Sequence, residues 1–140
     1  MSVSHRDFYN SAQVLLDNPD STEIDFRNSI SRSYYAVFQL SREIASKLPL
    51  PIHPDDYQKL DIHDKVIIRF EKHPDKRIQV VSYLIKQLRA QRMIADYDTN
   101  LDIKRIETTQ HFYAVQRLLS SLEGLLAALN SLENLNHEQT

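Results

Sequence analysis

The segment RSYYAVFQ, residues 32–39, sets an arginine, two adjacent tyrosines and a glutamine in an otherwise apolar run. Arg32 and Gln39 are seven positions apart, about two helical turns, so on a helix they share a face, and Tyr35 lies on the same side. A guanidinium presents a planar fork of donors that fits phosphate, tyrosine offers a flat ring with a polar tip, and an amide both donates and accepts. A second group closes the segment LRAQRMIADYD, residues 88–98. There Arg89 and Arg92 are three apart on one face, Asp96 follows Arg92 by four, and Tyr97 comes next. Two arginines, a carboxylate and a phenol at one helix end suit phosphate recognition. A structural account stands beside this one: a core helix with a buried arginine paired to a carboxylate, and cations that complement a helix C-terminus.

Other chemistries have less support. The chain has no cysteine, which excludes a thiol nucleophile and a disulfide framework. His53, His63 and His73 stand ten apart with prolines between them and make no tight ligand spacing, so neither metal nor cofactor is expected.

These residues must be positioned by helices. A single glycine among 140 residues leaves few tight turns for a many-stranded β fold. Helical spacing marks a first helix from about Val3 to Leu16, broken by DNPDST. Ser21 or Thr22 can cap a second helix that runs to about Lys47 and places Ile30, Tyr34, Val37, Phe38, Ser41, Ile44 and Ala45 near one face. LPLPIHPDD holds three prolines and reads as a loop. A short third helix, HDKVIIRFEKH, follows with Asp61 as its cap. The fourth spans about Asp75 to Ala95. The last begins near Asp102 and carries a stripe of Val115, Leu118, Leu119, Leu122, Leu125, Leu126, Leu129 and Leu132, suited to a bundle core or a dimer seam. The expected fold is an all-α antiparallel bundle of about five helices, one domain over residues 1–140, ending in a few residues of flexible tail.

The net charge of −2 hides an asymmetry. Residues 65–92 hold eight Lys/Arg against two Asp/Glu, a stretch that could face nucleic acid or form a solvated helix face. The N-terminus lacks the pattern of a signal peptide, and no apolar run is long enough to span a membrane. A cytoplasmic protein without membrane contact is the expectation.

Taken in order, DFRNSISRSYYAVFQLSREIA, HDKVIIRF and LRAQRMIADYDTNLDIKRIE, followed by a leucine-rich helix, resemble HEPN domains (higher eukaryotes and prokaryotes nucleotide-binding) over about residues 5–130. The resemblance implies a small helical bundle, commonly a homodimer, that acts on or binds RNA or nucleotide in toxin–antitoxin and anti-phage defence systems. Many such domains are metal-independent endoribonucleases, and some work beside a nucleotidyltransferase that modifies a tyrosine, for which Tyr35 or Tyr97 would be the target here. Carried onto this chain, the resemblance makes Arg32, Arg92, Asp96 and His63 the catalytic candidates, and Arg89, Tyr35, Gln39 and Tyr97 the RNA- or nucleotide-binding candidates. Related proteins often end the tyrosine segment in histidine, where this chain has Gln39, which cannot shuttle a proton near pH 7. A noncatalytic dimerisation or partner-binding module is therefore the alternative. The family's arginine-to-histidine spacing is met literally only by Arg105 and His111, a match expected about once by chance in a chain with this many arginines and histidines.

Overall fold

The computed structural model describes residues 2–138, which form six helices and no strand. They are α1 (His5–Asp17), α2 (Glu23–Ala45), α3 (Pro54–Gln58), α4 (Ile62–Glu71), α5 (Lys76–Tyr97) and α6 (Arg105–Glu138). α3 is the addition to the five expected helices. Its proline, Pro54, occupies the first turn, where the missing N–H would have no partner anyway, and the His53 side chain accepts from the Asp55 amide. Thr22 caps α2 in a reciprocal box with Asp25, Asp61 caps α4, and Asp75 caps α5. α5 runs two residues beyond Ala95, and α2 stops two short of Lys47. α6 is helical to Glu138, so the tail expected at the chain's end falls on residues 139–140, outside those described.

Contacts along the chain fix the directions. α1 runs antiparallel to α2, with Ser29 donating to Ala12 O and Arg32 to Ser11. α5 is antiparallel to α2 and to α4, with Arg27 at Ala95, Arg89 at Asp61 and Lys86 at Glu71. α6 runs parallel to α2, from Arg105 beside Phe26 to Lys47 at Glu133. Their shared core holds Tyr34, Leu40 and Ile44 of α2, Phe70 of α4, Ile85 of α5, and Leu119 and Leu122 of α6, all fully buried. Each such side chain contributes roughly 1.5–3 kcal/mol by leaving water.

No described residue has a positive φ. The left-handed closing turn that usually ends a helix is therefore absent. Three helices are closed instead by arginines from elsewhere. Arg27 donates to the carbonyls of Ile94 and Ala95 in the last turn of α5 and of Asp98 and Leu101 just beyond it. Arg69 donates to Ala45 O and Leu48 O at the end of α2. Arg105 does the same for Leu16 O and Asn18 O at the end of α1. Cations at these sites also meet the negative end of each helix dipole.

Candidate functional site

The polar residues converge where α4 and α5 cross α2. Between Ser29 and Ala45 most side chains are buried because α2 is covered on more than one side, and this turns Tyr34 wholly inward and Tyr35 half-inward. Above them lies Arg92 of α5, only 5% exposed. Its Cζ stands 5.3 Å from the Tyr34 ring centre, 5.5 Å from that of Tyr35 and 6.0 Å from that of Tyr97. The rings' negative faces favour a cation there. Arg92 Nη1 donates to Asp96 Oδ2 at 3.2 Å, and Nε is buried without an acceptor. Burial opposes the guanidinium charge, but the Asp96 bond and the tyrosines outweigh it, so its pKa lies above the ordinary arginine value.

His63, at the start of α4, packs its ring at a tilt against Phe38, centre to centre 4.5 Å, and near both tyrosines. Its Nδ1 is 2.7 Å from the Tyr34 hydroxyl. Burial pushes that hydroxyl up to about 12, so it keeps its proton at neutral pH. The buried O–H has Nδ1 as its partner; Nδ1 therefore accepts, and the ring hydrogen sits on Nε2. Burial first, then the positive charges of Arg89 and Arg92, push the histidine below its usual pKa, which keeps it neutral at pH 7. Arg89 completes the group. It donates to Asp64 Oδ1 at 3.0 Å and Asp61 Oδ2 at 3.3 Å, tying α5 to the first turn of α4.

Of the candidates read from the sequence, the structure thus gathers Arg92, Asp96, His63, Arg89, Tyr35 and Tyr97. Tyr97 sits at the rim with 69% of its surface exposed. Arg32 and Gln39 do share a face of α2, but that face looks toward α1. Arg32 bonds to Ser11, and Gln39 lines a shallow hollow with Val3, Ser4 and His5. Tyr35 spans the two regions, since its ring also meets Phe8 of α1.

Two groups that the sequence does not single out belong to the site. Tyr34 sets the histidine's hydrogen, and Asp61 and Asp64 hold Arg89. The clue to Tyr34 was its place in the apolar repeat of α2, which marks it as core. The literal Arg105–His111 spacing is separated in space. Arg105 closes α1, while His111 is buried with Nδ1 against Gln91 Oε1.

The basic stretch is largely spoken for internally. Arg69 binds carbonyls, while Arg77, Lys86, Arg89 and Arg92 pair with Asp75, Glu71, Asp61 or Asp64, and Asp96. Lys65, Lys72 and Lys76 lack a carboxylate partner among the described residues, as does Arg69, whose partners are the Tyr57 hydroxyl and two carbonyls. Half of the stretch's cations are therefore in ion pairs, of which Lys86–Glu71 and Arg89–Asp61/Asp64 hold α4 to α5 and the others lie within α5 and its cap. Among the described residues no cluster of His, Asp or Glu is arranged to hold a metal ion, and no helix is long and apolar enough to cross a membrane.

No family model, no curated protein and no solved structure matches the chain.

Proposed function

We propose that the chain is a HEPN-like protein of a toxin–antitoxin or anti-phage defence system that binds RNA or a nucleotide through the α2–α4–α5 cluster, working as a homodimer in the cytoplasm. The observation that carries the reading is the convergence of His63, Arg89 and Arg92 over Tyr34 and Tyr35. The partly exposed guanidinium of Arg89 and the Nε2–H of His63 are donors of the kind a phosphate oxygen accepts, and the face of half-buried Tyr35 or exposed Tyr97 can stack a base. Binding is favoured over cutting by the state of the histidine. A general base needs a free lone pair, and in this cluster the nitrogen without a protein partner carries the hydrogen.

Fluorescence anisotropy with a labelled single-stranded RNA tests the proposal. Saturable binding is expected, weakened about tenfold or more by His63→Ala and by Arg89→Ala, each of which removes a donor near the phosphate. Binding that is absent, or that ignores both changes, overturns it.

A metal-independent ribonuclease is the second reading, and a specific feature favours it: His63 is neutral at pH 7 and lies in one cluster with Arg92. With the Tyr34 hydroxyl turned to accept, the imidazole can lose its Nε2 proton to water and take one up at Nδ1, which leaves Nε2 free as a base. Cleavage of the same RNA in chelator, abolished by His63→Ala, would establish it; intact RNA after long incubation would remove it.

A further inference from the structure

His63 stands among charges that nearly cancel. From α5 the guanidiniums of Arg89 and Arg92 act on it, and from its own helix the carboxylates of Asp61 and Asp64. α2 faces the imidazole with the phenols of Tyr34 and Tyr35 and the ring of Phe38. Both α4 carboxylates are bonded to Arg89, and Asp96 is bonded to Arg92. With a neutral imidazole the cluster therefore sets two guanidiniums against three carboxylates, one negative charge in excess. An anionic phosphate would enter a site whose arginines are already matched.

The geometry of the free chain favours the neutral imidazole. The fully buried Tyr34 hydroxyl donates to Nδ1 at 2.7 Å. His63 lies in the first turn of α4, beside the positive end of the helix dipole. Burial and the two arginines add to this and hold the imidazole below the ordinary histidine range. A phosphate beside Nε2 offsets the electrostatic part. Its negative charge faces the helix start and both guanidiniums, and so cancels what opposes an imidazolium. Tyr34 can follow the change, because a hydroxyl has lone pairs and can turn to accept from a protonated Nδ1. The bond between the two side chains is kept and only its direction reverses. The imidazolium then supplies the positive charge that the matched arginines do not.

We propose that the α2–α4–α5 cluster binds a backbone phosphodiester together with one proton: His63 takes up a proton from water at Nδ1 as the phosphate docks against Nε2–H, so binding strengthens on mild acidification. The proposal rests on the RNA-binding reading and adds to it the charge state in which the phosphate is held. A phosphodiester keeps its single negative charge throughout the range around neutrality, so the pH dependence belongs to the protein and not to the ligand.

Fluorescence anisotropy at constant ionic strength tests it at pH 8 and pH 6, with a labelled single-stranded RNA that carries no terminal phosphate. The wild type is expected to bind about fivefold tighter at pH 6. His63→Gln keeps an amide donor but cannot take up the proton, and is expected to gain less than about twofold, the part that the remaining histidines contribute. NMR reads the same coupling from the other side. Because linkage is reciprocal, the His63 imidazole is expected to titrate about one pH unit higher in the RNA complex than in the free chain. This arm uses the unaltered chain and decides the question even if His63→Gln fails to fold. Equal affinity at the two pH values, a gain kept in His63→Gln, or a His63 titration unmoved by RNA overturns the proposal and leaves the RNA-binding reading in place. RNA that binds at neither pH removes that reading and the proposal with it.

Discussion

The hydroxyl of Tyr34 and Nδ1 of His63, 2.7 Å apart, join the most deeply buried ring of α2 to the first turn of α4. That bond orients the imidazole and selects its hydrogen. Tyr34→Phe keeps the ring and removes the donor. It is expected to lower unfolding stability by about 1 kcal/mol, the usual net worth of such a bond, and to weaken the proposed RNA binding by releasing the histidine. Urea unfolding and anisotropy on the same variant read both effects, and an unchanged midpoint would show that the bond carries no weight.

Arg92 and Asp96 form an ion pair with one end buried and the other partly open, their side chains being 6% and 26% exposed. Removing the carboxylate strands a buried cation. Asp96→Ala is therefore expected to cost about 2 kcal/mol, less than for a fully buried pair because water reaches Asp96. Arg92→Met in the Asp96→Ala background should recover part of the loss, since no charge is then left stranded. A double-mutant cycle measures the coupling.

Arg27 and Arg32 lie five residues apart on α2 and are expected to behave very differently. Arg27 is buried among the carbonyls at the C-terminal end of α5, whereas Arg32 is exposed and holds one hydroxyl. Arg27→Met is expected to cost about 3 kcal/mol through its stranded acceptors, and Arg32→Met less than about 0.5 kcal/mol. Chemical denaturation of the two variants side by side decides it.

Stability should fall on mild acidification. Burial holds His111 at about 4, against 6.5 for an ordinary histidine. Between those values the unfolded chain takes up a proton that the folded chain refuses. The stability is therefore intact above about pH 6.5 and declines toward pH 4, by about 3 kcal/mol at the bottom of that window. His63, also shifted downward, adds loss of the same sign just below its ordinary pKa. Thermal melts at pH 7 and pH 4.5 should show a large drop in Tm for the wild type and a smaller one for His111→Gln.

Most of the helical framework was legible because it rests on local rules. The apolar repeat of α2 marks Ile30, Tyr34, Val37, Phe38, Ser41, Ile44 and Ala45 as one face, and all seven are buried. Asp61 as a cap is equally local. α3 was missed because three prolines read as a break, although a proline in the first turn of a helix breaks nothing.

The site was legible only in part. The spacing of Arg32 and Gln39 places them correctly on one face of α2, but which neighbour covers that face is a tertiary fact, and the neighbour is α1. The positive stretch from residue 65 to 92 looked available because its carboxylate partners are distant in sequence, as Glu71 is from Lys86 and Asp61 from Arg89.

The three arginine closures couple helix completion to assembly. Arg27 reaches carbonyls 67 to 74 residues away, Arg69 reaches 21 to 24, and Arg105 reaches 87 to 89. A helix ended by its own glycine can be complete before it meets its neighbours; α1, α2 and α5 cannot. Their final turns stay open until the bundle docks, so an excised α2 or α5 would fray at its C-terminal end. In the intact chain, the last amides of these three helices should exchange with solvent at the pace of whole-bundle opening rather than of local fraying.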